Sequence, residues 1–187
     1  MEQEEIAQAA AVIKKGKVVV CPTDTVYGLV VDATNKKAVQ RVFRIKGREK
    51  GKALPVFVKN IAMAKRLARV SKQQEKFLRK VWPGKVTVVL ESKGVLPIEL
   101  EMNGKVALRI PKHELAALLL RKTGIPLTGT SANVSGKPSC SSAAEVFAQF
   151  AKRKHKPDLV IDEGKLPKSK PSKIVDITGK KVRILKR

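Results

Sequence analysis

An α/β fold is the class this sequence predicts, and three observations carry the prediction. Short β-branched runs, Val18-Val19-Val20 first among them, alternate with stretches whose apolar residues recur at helical spacing. Pro and Gly punctuate the junctions, as in Pro22, Pro83-Gly84 and Gly124-Ile125-Pro126. A length of 187 residues with 43% hydrophobic content suits one domain, residues 1–187, around a sizeable core.

The elements follow in order. Residues 3–15 carry Ile6, Ala9, Ala10 and Ile13 on one helical face, with Gly16 as the stop. A strand over 17–21 ends at Pro22, which has no N–H to give a ladder. A cluster of hydroxyls with one carboxylate and a Tyr comes next (Thr23-Asp24-Thr25-Val26-Tyr27), then Val30-Val31-Asp32. A helix over 35–45, capped by Asn35, turns Val39, Val42 and Phe43 inward and Lys36, Lys37, Arg41 and Arg44 outward. It delivers Lys46 and Arg48, flanking Gly47, to a junction before the strand 54–58. Two cations at i, i+2 converge on one anion better from extended backbone than from a helix.

Helices over 60–69 and 71–82, the second capped by Ser71, lead through Pro83-Gly84 into the strand 86–90. Gly84-Lys85 lacks the upstream glycine of a P-loop. A polar connection over 92–104 precedes the alternating strand 105–111, which puts Arg109 near its end, either at the surface or as an anion clamp. His113 opens a helix over 112–122, as a polar residue of the cap region or as a catalyst. Residues 128–136 pack four hydroxyls, two glycines and Asn133 ahead of a helix over 142–151. Small residues there let a ligand approach the backbone, and a turn-rich loop has the same composition. A basic, exposed tract over 152–157, a strand over 159–162, a Lys/Pro/Gly-rich mobile loop or lid over 163–173, and strands over 174–177 and 182–185 complete the chain.

Charge is the outlier. Forty Lys and Arg against sixteen Asp and Glu give +24, a field that attracts nucleotides and nucleic acids alike. A Lys-rich proteome would give the same balance. No apolar run reaches the roughly 18 residues of a membrane span, and the acidic start Met1-Glu2-Gln3-Glu4-Glu5 is unlike a signal peptide. Cys21 and Cys140 are too few for a disulfide scaffold and lack metal-ligand spacing. A cytoplasmic protein is the simplest expectation.

Six segments in this order carry a resemblance. They are Pro22-Thr23-Asp24-Thr25-Val26-Tyr27-Gly28-Leu29, Lys46-x-Arg48, Pro83-Gly84-x-x-Thr87, Arg109-x-Pro111, Ser131-Ala132-Asn133-x-Ser135-Gly136 and Pro171-Ser172-x-Ile174-Val175-Asp176. Together they closely resemble the YrdC-like threonylcarbamoyl-AMP synthases, in their short single-domain form, over about residues 5–186.

The resemblance implies a twisted, mostly mixed sheet flanked by helices around a deep basic cavity. It implies synthesis of threonylcarbamoyl-AMP and pyrophosphate from L-threonine, bicarbonate and ATP, for transfer to tRNA by partner proteins. By similarity Lys46 and Arg48 are the catalytic, ATP-phosphate residues, and Ser131, Asn133, Ser139 and Lys186 complete the nucleotide site. Thr23, Arg109 and Ser172 hold threonine, with Arg109 on its carboxylate. Magnesium (Mg2+) is expected to travel with ATP, since no carboxylate cluster in the sequence forms a protein-only cage.

The chain departs from the family pattern at Glu49, Ala53, Lys85 and Lys173, and at Lys186 where the family has Arg. Lys keeps that charge and loses the bidentate fork. Two other readings compete. One is a non-catalytic module binding double-stranded RNA or tRNA, for which 4% aromatic residues supply few stacking platforms. The other is a carbamoyl-adenylate domain acting on carbamoyl phosphate, as in hydrogenase maturation.

Overall fold

The computed structural model describes residues 3–48, 53–179 and 181–185. The first strand, β1 (Val19–Cys21), is buried on both faces. Val18 and Val20 enter one hydrophobic core, and Val19 and Cys21 enter another. An unbroken β-branched run rather than an alternating one is the signature of such a strand.

Two mixed sheets form around it. β1 pairs antiparallel with β2 (Gly28–Val30) and parallel with β9 (Leu159–Val160), and β2 pairs antiparallel with β8 (Thr130–Ser131). Among the described residues the first sheet therefore runs β8-β2-β1-β9. The second runs β11 (Arg183–Leu185), β10 (Lys173–Asp176), β4 (Val86–Glu91), β6 (Lys105–Arg109), β3 (Val56–Phe57) and β7 (Leu127–Thr128). The short β5 (Glu101–Met102) pairs with β6 beside this path. Parallel pairs (β10 with β4, β3 with β6) and antiparallel pairs (β4 with β6, β3 with β7) coexist, so the sheet is mixed, as expected.

Gly129 joins the sheets, standing between β7 and β8. A Cβ there would lie 2.4 Å from Cε1 of Phe57, so only Gly fits. The Trp82–Pro83 peptide is cis, and the Trp82 indole N–H donates to the Val86 carbonyl at 2.7 Å.

The helices are α1 (Gln3–Lys14), α2 (Lys36–Lys46), α3 (Ile61–Leu67), α4 (Lys72–Val81), α5 (Glu114–Thr123) and α6 (Ala143–Phe150). The α1 stripe of Ile6, Ala9, Ala10 and Ile13 packs with Leu115, Ala116, Leu119 and Leu120 of α5 in one core. The other core takes Val39, Val42 and Ile45 from α2. Asn35, Asn60, Ser71 and Ser142 cap α2, α3, α4 and α6 through side-chain oxygens, and Ser71 and Gln74 close a capping box. No helix among the described residues is long and apolar enough to cross a membrane.

Several expectations need correction. Helix α2 runs through Lys46, so only Gly47, left-handed at φ 59°, turns the chain, and Arg48 follows it. Side chains at i and i+2 reach one cavity because that residue breaks the helical periodicity. Leu54 and Pro55 lie outside β3, where Pro55 offers no ladder donor and its carbonyl accepts from Gly129 instead. The 92–104 connection contains β5, turned onto β6 by Asn103 and Gly104, both at positive φ. The strand at 159 stops after Val160, and the next residues serve as anchors.

Candidate functional site

The carboxyl end of α2 and the turn after β8 build one half of the site. Lys46 is 2% exposed, and its ammonium donates to the carbonyls of Ser131 (2.5 Å) and Asn133 (2.9 Å) and to Asn133 Oδ1 (3.0 Å). Its own carbonyl accepts from the Ser135 N–H at 2.8 Å. Ser131 Oγ donates to Asn133 Oδ1 (2.6 Å), and Asn133 Nδ2 donates to the Val134 and Lys137 carbonyls.

Three ammonium hydrogens meet three oxygens of the loop, so Lys46 shapes the Ser131–Gly136 turn and lends it charge. Burial first, and the nearby Arg48 charge second, pull its pKa down from 10.5 to about 8. Lys46, Gly47, Arg48, Ser131, Asn133, Ser135 and Gly136 line a cavity of about 350 Å³. Neutral donors and two cations around a space of that size suit a phosphate-bearing ligand.

One expected nucleotide residue stands apart from this lining, and another falls outside the described residues. Ser139 is exposed just before the buried Cys140 and is not among the lining residues. Lys186 lies outside the described residues.

The other half forms where β1 ends opposite the end of β6. Thr23 is buried, and its hydroxyl donates to the Val26 carbonyl at 2.7 Å and lies 3.0 Å from Thr25 Oγ1. Arg109 is 3% exposed, so it is not a surface residue. Its Nη2 donates to both carboxylate oxygens of Asp24 at 2.7 Å, and its Nε donates to the Gly84 carbonyl at 2.8 Å. The guanidinium lies 5.9 Å from the centroid of the Phe57 ring. Ser172 is buried at the entry to β10, 3.0 Å from Thr87 Oγ1 on β4.

The halves adjoin through Gly28. It pairs with Ser131 across β2 and β8, and a Cβ on it would lie 3.5 Å from the Thr23 methyl.

The segment after β9 is tied down along its length. The Tyr27 hydroxyl, wholly buried, donates to the Gly164 carbonyl at 2.7 Å and accepts from the Glu163 N–H at 3.0 Å. His113 Nε2 meets Glu163 at 3.0 Å, so this histidine anchors the segment and makes no side-chain cap on α5. Leu166 N–H donates to the Ser141 carbonyl, and Ser169 Oγ donates to the Asp24 carbonyl at 3.4 Å while accepting from Lys85. Residues 163–172 thus form a strap tethered by Tyr27, His113, Ser141, Asp24 and Lys85.

Sequence reasoning missed Tyr27, Asp24 and Lys85 as organisers of this region. Each sits inside a recognised segment, but its partner lies more than 80 positions away. Cys21 and Cys140 are both buried, which pushes their thiols up to about 12 and about 11. Among the described residues no three His, Cys, Asp or Glu side chains stand together to hold a metal ion.

Comparison with known proteins places this geometry. A family model described as telomere recombination, covering Sua5, YciO and YrdC, matches residues 11–187. The threonylcarbamoyl-AMP synthase of Thiobacillus denitrificans is 34% identical over 188 residues, covering 97% of each chain. That of Pyrococcus abyssi is 35% identical over 180 residues, covering 95% of this chain and 52% of its own. The crystal structure of P. abyssi Sua5 complexed with L-threonine superposes with a TM-score of 0.92 at 34% identity, over 99% of this chain and 54% of that one. The chain thus spans about half the length of the P. abyssi protein. E. coli YciO superposes at 0.87 with 26% identity, over 98% of this chain and 89% of its own. With two mixed sheets flanked by helices, and with matches spanning nearly its whole length, the chain belongs to the Sua5, YciO and YrdC family, the family of the threonylcarbamoyl-AMP synthases.

Proposed function

We propose that this chain, acting as one domain, joins L-threonine, bicarbonate and ATP into threonylcarbamoyl-AMP and pyrophosphate. The observation that carries the reading is the juxtaposition of a cationic, Ser/Asn-lined cavity with a buried arginine at the adjoining strand ends. The likeness to a protein crystallised with L-threonine supports the second half.

Threonine's amine, once neutral, adds to the carbon derived from bicarbonate. The resulting carbamate oxygen attacks the α-phosphorus of ATP, the bond to pyrophosphate breaks, and water is the other product. Such phosphoryl chemistry needs positioning and charge neutralisation more than a covalent nucleophile. In this reading Arg48 and the Lys46 charge neutralise the phosphates, and the Ser131–Asn133 loop holds the nucleotide. The reading also assigns Ser139 and Lys186 to ATP, and Thr23, Arg109 and Ser172 to threonine, in a deep basic cavity shared by both substrates.

Magnesium enters with the triphosphate. Among the described residues no three His, Cys, Asp or Glu side chains stand together to hold it. The product serves a transferase that modifies tRNA in the cytoplasm. The net charge of +24 supports direct contact with RNA phosphates as a second, separable property.

The test is pyrophosphate release from ATP, with and without L-threonine and bicarbonate, in wild type and Arg48→Ala. Arg48 is the better probe because Lys46 also holds the loop. Release that needs both co-substrates and falls roughly a hundredfold in the variant supports the synthase. Release independent of threonine, or none, overturns it in favour of an RNA-binding or carbamoyl-phosphate reading.

A further inference from the structure

The threonine half of the site contains a charge that the assignments above leave without a task. Asp24 is a carboxylate in direct contact with the one cation reserved for a carboxylate. Both its oxygens accept from Arg109 Nη2 at 2.7 Å, and the two side chains are 8% and 4% exposed. A buried pair of this kind adds little net stability over apolar packing, yet stripping one partner leaves a costly lone charge. Whatever binds Arg109 through a carboxylate must therefore deal with Asp24.

The other nearby acids are engaged elsewhere. Asp162 accepts from the Gly164 N–H and lies 3.2 Å from the Tyr27 hydroxyl. Glu163 meets His113, and Asp176 accepts from Lys105 and Thr178.

An amino acid arrives as a zwitterion. Its ammonium and carboxylate flank a single α-carbon, so a site that buries both needs a cation and an anion side by side. Arg109 and Asp24 are such a pair, already in contact. A site with the cation alone would leave the substrate's ammonium desolvated and unpaired, at a steep cost.

We propose that Asp24 is the receptor for the α-ammonium of the substrate. With the site empty it neutralises Arg109. With threonine bound, Arg109 turns to the α-carboxylate and Asp24 takes the ammonium, so the site selects α-amino acids over the matching hydroxy acids. This rests on the reading that Arg109 binds threonine's carboxylate.

Calorimetric titration without ATP separates the possibilities, using L-threonine and its deaminated analogue (R)-3-hydroxybutanoate. Wild type is expected to bind threonine at least about tenfold more tightly than the analogue. Asp24→Asn, nearly isosteric, is expected to erase that preference: threonine weakens about tenfold or more, and the analogue binds as well as before or better. Asp24→Glu, which keeps the charge, is expected to retain part of the preference, and thermal unfolding checks that each variant folds.

Equal or tighter threonine binding by Asp24→Asn would overturn the inference and make Asp24 only a competitor for Arg109. An equal loss for both ligands would also overturn it, leaving Asp24 as a support that orients Arg109. Wild type binding both ligands alike excludes the ammonium receptor with no variant at all. Wild type binding neither overturns the threonine assignment of Arg109 itself, a distinct failure.

Discussion

The ammonium of Lys46 is held by Asn133 through both its carbonyl and its side-chain oxygen, at 2.9 and 3.0 Å. A third bond to the Ser131 carbonyl completes its donor set. Replacing Lys46 with Met keeps the bulk and leaves three oxygens of the Ser131–Asn133 turn without their donor. Stability is expected to fall by about 1–3 kcal/mol. The nucleotide KM should rise along with the loss of kcat, because loop shape and charge go together. Urea unfolding and steady-state kinetics on one preparation check this, and Arg48→Ala should lower kcat/KM with little change in the urea midpoint.

The depressed pKa of Lys46 gives two pH effects of opposite sign. Its folded-state value of about 8 lies below the ordinary 10.5, so the folded chain gives up this proton before the unfolded chain does. The contribution to stability therefore rises with pH between about 8 and 10.5 and is absent below that window. Affinity for a triphosphate moves the other way, falling as the free enzyme is taken above about pH 8 and the site loses a charge. Titrating α,β-methylene-ATP from pH 7 to 9 should show the fall in wild type and none in Lys46→Met. The stability difference between the same two proteins should change across the higher window.

Tyr27→Phe removes the hydroxyl that ties down Glu163 and Gly164. A loss of about 1–2 kcal/mol is expected from these bonds. The strap should also open more often, since local opening follows local bonding. Hydrogen exchange at 162–166 should speed up while exchange in β4 and β6 stays unchanged. If the strap also shields the site, the KM for threonine rises. A KM unchanged at faster exchange would show the strap to be structural only.

Gly129→Ala forces a methyl to within 2.4 Å of the Phe57 ring, which packs beneath Arg109. Overpacking of this kind costs about 1–3 kcal/mol. Because Phe57 cannot shift without disturbing Arg109, threonine affinity should drop more than ATP affinity. Equal losses for both ligands would point to general loosening.

How much of this was legible beforehand depends on the range of the signal. Asn35 and Ser71 as caps, the α1 stripe, and the positions of β4 and β6 follow from local periodicity and turn chemistry, and the structure has them. The membership of Lys46, Arg48, Ser131 and Asn133 in one cavity followed only from the order of several weak motifs. Periodicity cannot show that the carboxyl end of α2 meets the turn after β8. It also gave the wrong backbone for Lys46, because a left-handed Gly47 changes direction within a single residue. The commitment of the Lys46 ammonium, the Arg109–Asp24 pair and the Tyr27 ties are side-chain choices between distant segments, which a linear pattern does not encode. The sequence suggested a mobile loop or lid over 163–173, and its Lys/Pro/Gly composition does not show the anchors that Tyr27, His113 and Lys85 supply.

Trp82 is the only tryptophan in the chain, and it is 6% exposed. Its indole N–H is fixed to the Val86 carbonyl, and the carbonyl of Gly84, two residues on, receives Arg109. A turn of Arg109 toward a ligand, as proposed above, is expected to disturb the short link between Gly84 and the indole. Trp82 emission is then expected to change on adding an amino acid, and a titration read at micromolar protein without a label checks it.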